Sequence, residues 1–474
     1  MFLMSGKLFN KVPMWLYAVL GLGLSLFGTT LAISSNGFFS HFFQAIVNFI
    51  RDPQTQWLIL LCLCFYFTTL MLLQPRQQKA SFWRVNTWEL WMLATFVVAA
   101  FAYVVDYPAS TQSTQPLILF ASATLGKGAS VFAALNSRRS EGSGNKPEHC
   151  RNNLQALVAS LLVILLALAS IWETNAGRGF GYDGNARCSG PWDNPNIFGL
   201  LMGTGIALAV GLLLQSPISK TKTQKVGVGK YTVVILCLLA GILMARGLLH
   251  SYSRGAWVAT VCGLGYLTWR SGQALISKRQ MHSCISQLNR NWLLFSIILA
   301  SFFLLVFWHF RQTNWHPARR ALSIVNTTDF SWRNRIVAWE GNLQIMVEHP
   351  WLGTGWNQPE SLYEHYYLPL KLNESAAIEM NDYLILGATL GIPALCCFVI
   401  YLWLSLGKSF EFRYQNSELA LDWLQIICHA GAIVLLVGFW FDGGLFKLPT
   451  ASTFWILLEL GSCEKIQQGS GKAN

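Results

Sequence analysis

The sequence predicts an all-α protein that crosses a membrane about twelve times and carries one large loop on the outer side. Composition is the first observation behind this prediction: 53% of the 474 residues are hydrophobic and only 12% are charged, whereas soluble domains carry about 25% charged residues. The second is the recurrence of apolar stretches close to the roughly 20 residues that a spanning helix needs. The third is the uneven distribution of basic residues among the intervening loops.

About twelve apolar stretches are predicted as membrane-spanning helices. The first is predicted to remain as an anchor, because its apolar stretch is longer than that of a usual signal peptide. The eighth and twelfth are short, so they are tilted, re-entrant or differently bounded. In chain order the predicted spans are 13–32, 57–73, 88–105, 116–135, 154–172, 197–214, 231–249, 255–269, 292–310, 384–405, 423–441 and 445–461.

The distribution of Lys and Arg orients the chain. With the N-terminus in the cytoplasm, the cytoplasmic loops hold about twice as many basic residues as the outer loops, which is the bias that membrane proteins show. This bias accounts for the net charge of +12. A nucleic-acid-binding protein is excluded, since no long basic stretch lies on a soluble face.

The loop between the ninth and tenth spans, residues 311–383, is of soluble size and rich in Trp and Tyr. Such a composition favours amphipathic helices on the outer leaflet over a flexible linker. We therefore predict spans one to nine in 1–310, a periplasmic loop in 311–383, spans ten to twelve in 384–461, and a polar cytoplasmic tail in 462–474.

Two arginines lie at the junction of the seventh and eighth spans. Arg246 and His250 are four residues apart and so share one helix face, and Arg254 follows at the outer boundary of the next span. An arginine beside hydrocarbon is costly and usually faces a cavity or a partner. The alternative for both is a side chain that reaches to the interface, but Ser253 and Gly255 favour a tightly built anion site at Arg254.

A further arginine lies in the large outer loop. Arg335 and Trp339 are spaced i, i+4 on a predicted helix that ends near Pro350, and a turn with Gly353 and Gly355 then redirects the chain. A guanidinium can bind a phosphate with two parallel hydrogen bonds, which an ammonium cannot do. Arg335 is therefore a second candidate for anion binding.

Two carboxylates lie at the outer mouth of the tenth span. Glu379 and Asp382 flank Met380 and Asn381. They are either solvated residues that cap a helix or part of an acid–base site.

Taken in order, these segments resemble the motifs of the O-antigen ligase family, which includes O-antigen ligases, related polymerases and protein O-oligosaccharyltransferases. The resemblance covers about residues 250–395, and the predicted topology agrees with it over most of the remaining chain. The matching segments are Ser253-Arg254-Gly255-Ala256, Arg335-x-x-x-Trp339, Pro350-x-x-Gly353-x-Gly355, and Asn381-x-Tyr383-Leu384 with Gly391-Ile392-Pro393.

The resemblance implies a GT-C-like helical membrane fold and a glycan donor linked to a polyprenyl diphosphate. It implies that Arg254 and Arg335, to which we add Arg246, hold the donor diphosphate, with Asn381 and His250 in support. Preorganised cations in a poorly hydrated site stabilise the charge that develops on such a leaving group. Neither a metal nor another cofactor is expected, and the cysteines form no Cys-x-x-Cys pair and no zinc-binding spacing.

One position departs from the family pattern. Members of the family usually carry a histidine directly before the asparagine that matches Asn381, and this chain carries Met380 there. Because a thioether cannot take a proton, a base for the acceptor hydroxyl must come from another residue. Glu379, Asp382 and His365 are the candidates.

The function predicted from these features is that of an O-antigen ligase-like glycosyltransferase in a bacterial inner membrane, acting in lipopolysaccharide or surface polysaccharide biosynthesis. It would transfer a polyprenyl-diphosphate-linked glycan to a lipid or protein acceptor on the periplasmic face. The alternatives are a polymerase of lipid-linked repeat units and a membrane transporter of a small solute. Transporters often contain inverted repeats, whereas this sequence shows no repeat and gathers its informative residues at one face.

Overall fold

The computed structural model is a bundle of α-helices over the part of the chain that it describes. It describes residues 87–105, 113–142, 147–172, 186–215, 228–279, 330–356, 381–407 and 423–462, with single positions at 22–23, 26, 56, 59, 62, 64, 359 and 362–363. Apart from a few of these single positions, the predicted spans 13–32, 57–73 and 292–310 lie outside the described residues.

Eleven α-helices lie in the described ranges, and a 3-10 turn at Gly190–Trp192 precedes the fourth. They are α1 (Thr87–Val105), α2 (Gln115–Gly142), α3 (Pro147–Ile171), α4 (Pro195–Gln215), α5 (Val228–His250), α6 (Arg254–Arg279), α7 (Phe330–Glu348), α8 (Asp382–Leu390), α9 (Ile392–Gly407), α10 (Trp423–Phe441) and α11 (Leu448–Gly461).

Helices α10 and α11 form the centre of the described bundle. α10 packs against α4, α6 and α11, while α11 packs most closely against α2. α11 is buried along nearly its whole length, including Phe454 and Trp455. By contrast, α5 exposes most of its apolar side chains, among them Val233 and Ile242, as a helix does when its outer face meets lipid.

Five described helices are long and apolar enough to cross a membrane. They contain Gln115–Ala134, Leu154–Ile171, Pro195–Gln215, Thr232–His250 and Trp423–Phe441. These segments coincide with the fourth, fifth, sixth, seventh and eleventh predicted spans. The chain is therefore an α-helical, multi-pass membrane protein, while the total of about twelve spans and the GT-C-like arrangement stay predictions.

The predicted tenth span, 384–405, differs from the structure because it is two helices instead of one. α8 ends at Leu390 and α9 begins at Ile392, with Gly391 between them at φ 86° and ψ 165°. That conformation is essentially restricted to glycine. Pro393, in the first turn of α9, has no N–H to donate to α8. Hydropathy runs unbroken through the segment and so gives no sign of the break.

The turn that follows α7 fills this break. The N–H groups of Thr354 and Gly355 donate to the carbonyls of Ala388 and Thr389 at 2.9 and 3.0 Å, and Ile392 N–H donates to the Pro350 carbonyl at 2.8 Å. These bonds pair backbone groups that the break would otherwise leave unpaired, which matters because an unpaired backbone group in an apolar setting is costly. The proline- and glycine-containing turn is therefore a structural support for the α8–α9 break.

Replacing Gly391 with Ala is expected to destabilise the fold. A Cβ at this position would lie 2.3 Å from the Trp351 carbonyl oxygen, and the backbone strain alone costs about 1–3 kcal/mol. The thermal midpoint of the detergent-purified variant should fall clearly. Gly265→Ala is the matched control, because nothing lies within 4 Å of its Cβ position. Equal midpoints for the two variants would mean that the Gly391 backbone is not held in this conformation.

Candidate functional site

A buried carboxylate, Asp442, lies where the ends of several helices meet. It follows α10 directly, and its Oδ1 accepts a hydrogen bond from Arg335 Nη2 at 2.6 Å. Its Oδ2 accepts a hydrogen bond from Ser253 Oγ at 2.5 Å. Arg335 Nε also donates to the Phe441 carbonyl at 2.9 Å. Asp442 therefore joins α7, which carries Arg335, to the start of α6.

Gly255 allows this close contact. A Cβ on Gly255 would lie 2.4 Å from Asp442 Oδ2 and 2.8 Å from the Phe441 Cβ, which is closer than real Cβ contacts allow. Glycine at this position thus brings the backbone of α6 against the carboxylate. The structure therefore explains two residues of the Ser253-Arg254-Gly255 segment. The serine hydroxyl donates a hydrogen bond to Asp442, and the glycine leaves room for the Asp442 carboxylate.

Arg254 is the first residue of α6. Ser253 caps this helix, since its Oγ accepts a hydrogen bond from the Ala256 N–H at 3.2 Å. A helix N-terminus carries a partial positive charge and disfavours a cation, and the Arg254 side chain is only 8% exposed. A buried arginine and a helix N-terminus thus contribute charge of the same sign at one place. Such a place attracts an anion.

The segment before α4 supports the turn between α5 and α6. Arg187 Nε donates to the Ser251 carbonyl at 2.8 Å, and Arg187 Nη2 donates to Asn196 Oδ1 at 2.5 Å. Cys188 N–H donates to the His250 carbonyl at 3.0 Å. These bonds fix a turn in which Tyr252 adopts a left-handed φ of 51°. The segment before α4 therefore helps to place Arg254.

Asn381 and Asp382 connect the start of α8 to the same region. Asn381 Oδ1 accepts hydrogen bonds from the N–H groups of Tyr383 and Leu384, both at 3.1 Å, so Asn381 is the N-cap of α8. Asp382 Oδ2 accepts a hydrogen bond from the Leu445 N–H at 2.7 Å. Asp382 thus holds the turn 442–447 that carries Asp442. The buried Nδ2 of Asn381 has no hydrogen-bond partner within the described part of the chain.

The remaining predicted site residues are either exposed or outside the described part of the chain. Arg246 and His250 are one turn apart near the end of α5, and both side chains are exposed, unlike those of Arg254 and Arg335. Glu379, Met380 and His365 lie outside the described residues. The structure therefore brings Arg254, Arg335, Asn381 and Asp382 to one end of the bundle.

Asp442 was missed in the sequence analysis. It lies in the short segment Asp442-Gly443-Gly444 between two predicted spans, at the predicted outer face. An acidic residue in a tight glycine turn at that face was a usable signal, because buried arginines require a compensating partner. Its partners Arg335 and Ser253, however, lie 107 and 189 residues away along the chain. Spacing in the sequence does not indicate pairs so far apart.

A metal centre finds no support in the described segments. No group of three or more His, Cys, Asp or Glu residues within them is placed to hold a metal ion. The polar groups that meet around Asp442 are guanidinium, carboxylate, hydroxyl and amide groups. Guanidinium groups of this kind bind phosphate and carboxylate anions directly.

Comparison with known proteins identifies one family. No curated protein matches the chain. Residues 239–399 match a family model described as O-antigen ligase. The matched segment includes Arg254, Arg335 and the α8–α9 break, and it ends before Asp442. The motif resemblance is thereby confirmed over residues 239–399, and the chain is a multi-pass membrane protein that is similar to the O-antigen ligase family in this segment.

Proposed function

We propose that this protein is a glycosyltransferase that moves a glycan from a polyprenyl diphosphate to an acceptor at the periplasmic face of a bacterial inner membrane. The observation that carries the proposal is that two motif segments, each with a buried arginine, meet at a single carboxylate: Asp442 binds Arg335 of one segment and Ser253, the neighbour of Arg254, of the other. The match of residues 239–399 to the O-antigen ligase family model supports a lipid-linked glycan as the substrate. The basic bias of the predicted cytoplasmic loops supports the orientation.

In the proposed reaction, a hydroxyl oxygen of the acceptor attacks the anomeric carbon of the donor glycan. The bond between that carbon and the diphosphate oxygen breaks, and polyprenyl diphosphate leaves with the bonding electrons. Arg254 and Arg335 stabilise the negative charge that develops on the leaving group. Arg246 would assist from the end of α5, and His250 and Asn381 would support the two helix ends that border the site.

Asp442 gives Arg335 a fixed orientation in this proposal. The carboxylate and the Phe441 carbonyl hold one edge of the guanidinium, so the group is oriented before the donor arrives. Preorganisation of this kind is what makes an electrostatic contribution to catalysis large. Asp442 is thus a positioning residue, and it also lowers the cost of keeping Arg335 buried.

The proton of the acceptor hydroxyl must go to a base other than Met380, and we propose that Glu379, Asp382 or His365 takes it. Glu379→Gln and Asp382→Asn are the informative variants, and the true base should show a loss of about 10²–10⁴-fold in transfer rate. Asp382→Asn keeps an oxygen that can accept from the Leu445 N–H, so the turn 442–447 should survive. The measurement is transfer rate per folded molecule.

Normal turnover in both amide variants would eliminate the carboxylates and leave His365. Met380→His is the complementary variant, since it restores the residue that the family usually carries. If transfer proceeds without a base at this position, Met380→His should not increase the rate.

The experiment that tests the proposed function is deletion of the gene with analysis of lipid-linked and surface glycans. If the protein is a transferase, polyprenyl-diphosphate-linked glycan should accumulate in the deletion strain and the glycosylated acceptor should disappear. Restoring the wild-type gene should restore the glycosylated acceptor. A polymerase instead predicts that acceptors carry single repeat units. Unchanged glycans together with altered uptake of a solute would overturn the proposal in favour of a transporter.

A further inference from the structure

A row of aromatic rings borders the Arg335–Asp442 ion pair. The ring of Trp339 lies between those of Trp332 and Trp440, with centroids 5.8 Å from each. Tyr383 continues the row, with its ring centroid 5.9 Å from that of Trp440. These four residues, which we call the aromatic row, come from α7, α10 and α8.

Two members of the aromatic row, Trp332 and Trp339, share a helix face with Arg335. Trp332 precedes Arg335 by three residues and Trp339 follows it by four, and such spacings place side chains side by side on a helix. Trp440 directly precedes Phe441, whose carbonyl accepts a hydrogen bond from Arg335 Nε. A molecule bound to the guanidinium would therefore extend along the indole rings.

The aromatic row is both fixed and accessible. Tyr383 is anchored because its hydroxyl donates to the Leu436 carbonyl at 2.8 Å. Trp440 is 43% exposed, and Trp332 and Trp339 are half-buried. The rings meet at interplanar angles of 78°, 59° and 41°, so they offer separate ring faces instead of one flat surface. The open surface of Trp440 is suited to stacking against a ligand.

One polar group in the aromatic row is unused. The Nε1 of Trp339 is buried and has no hydrogen-bond partner among the described residues. Buried tryptophan N–H groups usually find an acceptor, and leaving one unpaired is costly. A hydrocarbon chain offers no acceptor to this N–H, whereas a sugar hydroxyl does.

We propose that the aromatic row binds the saccharide next to the diphosphate of the donor. One C–H face of a pyranose ring stacks on the indoles, whose faces carry negative charge density, and a sugar hydroxyl accepts the hydrogen bond from Trp339 Nε1. This proposal rests on the proposed function, because it assumes that Arg335 binds the diphosphate. Every pyranose presents a C–H face, so the identity of the sugar is not critical.

The test compares two probes in detergent solution: undecaprenyl diphosphate, and undecaprenyl diphosphate that carries one N-acetylhexosamine. The wild-type protein should bind the sugar-bearing lipid more tightly, by about two- to tenfold for each contact made. Trp339→Phe removes the N–H but keeps a ring, and Trp440→Ala removes the exposed ring. Both variants should lose this preference while their affinity for the bare diphosphate lipid stays unchanged.

Trp403→Ala is the control, because Trp403 is 78% exposed on α9 and lies outside the aromatic row; it should keep the preference. An unchanged preference in Trp339→Phe and Trp440→Ala, or no preference in the wild type, would overturn the inference. An equal loss of affinity for both lipids in these variants would overturn it as well, because the aromatic row would then bind the polyprenyl chain. If neither lipid binds the wild type, the proposed function itself fails.

Discussion

Substituting Lys127 with Met is expected to lower the free energy of unfolding by about 3–5 kcal/mol. Lys127 on α2 is fully buried and lies 3.4 Å from Glu459 Oε2 on α11. Glu459 Oε1 accepts a further hydrogen bond from the Tyr401 hydroxyl at 2.6 Å. Removing the lysine would leave a carboxylate buried without its cation, and the cost of an uncompensated charge in such a place is large.

Glu459→Gln should be destabilising for the converse reason, because it removes the carboxylate charge that lies 3.4 Å from the buried Lys127 ammonium. The double variant Lys127→Met with Glu459→Gln should recover most of the loss, since it removes both charges and keeps an oxygen for the Tyr401 hydroxyl. The measurement is the thermal midpoint and the yield of monodisperse protein in detergent. Single variants as stable as the wild type would show that Lys127 and Glu459 do not form a buried pair.

The double variant should also keep its transfer activity. Glu459 lies about 17 Å along α11 from Leu448, and therefore well away from the Arg335–Asp442 pair. A recovered fold with lost activity would mean that the Lys127–Glu459 pair takes part in the chemistry.

Replacing Asp442 with Asn is expected to be the most damaging single change at the site. The amide has one accepting oxygen where the carboxylate uses two, and it removes the negative charge that lies against Arg335. Breaking a buried pair in this way costs about 3–5 kcal/mol, and Arg335 would no longer be held in place for the donor. We expect low yield together with loss of transfer in the protein that does fold.

Glu340→Gln is the matched control for Asp442→Asn. Glu340 is an exposed acidic residue on α7, and neutral changes at such positions usually alter stability by less than about 0.5 kcal/mol. If Asp442→Asn and Glu340→Gln gave the same yield and activity, Asp442 would have no part in holding Arg335.

The candidate arginines were predictable from sequence, but the residue that joins them was not. Arg254 and Arg335 stand out because each lies in a short motif with turn or aromatic residues of fixed spacing. Asp442 contacts both motif segments through tertiary structure alone. A carboxylate at the end of a predicted span is often a solvated residue at a helix end. Only the fold distinguishes that role from a buried partner of an arginine.

For the glycine motifs, the sequence indicated the positions but not the role. Their positions were recognised from the sequence, yet their role follows only from the structure, where the turn at Gly353 and Gly355 pairs with the backbone around Gly391. Apolar composition predicted one continuous helix there, since hydropathy does not register backbone conformation. Similarly, Lys127 lies within the predicted span 116–135, but its partnership with Glu459, 332 residues away, is visible only in the packed bundle.

The central claim is that the Arg254 and Arg335 guanidinium groups bind the donor diphosphate, and Arg335→Lys tests it most directly. Lysine keeps the charge but loses the planar pair of donors, so the transfer rate per folded molecule should fall by about 10²–10³-fold. Arg333→Lys, at an exposed position on the same helix, should transfer at the wild-type rate. Wild-type transfer by Arg335→Lys, at normal protein level and with the control also active, would contradict the account.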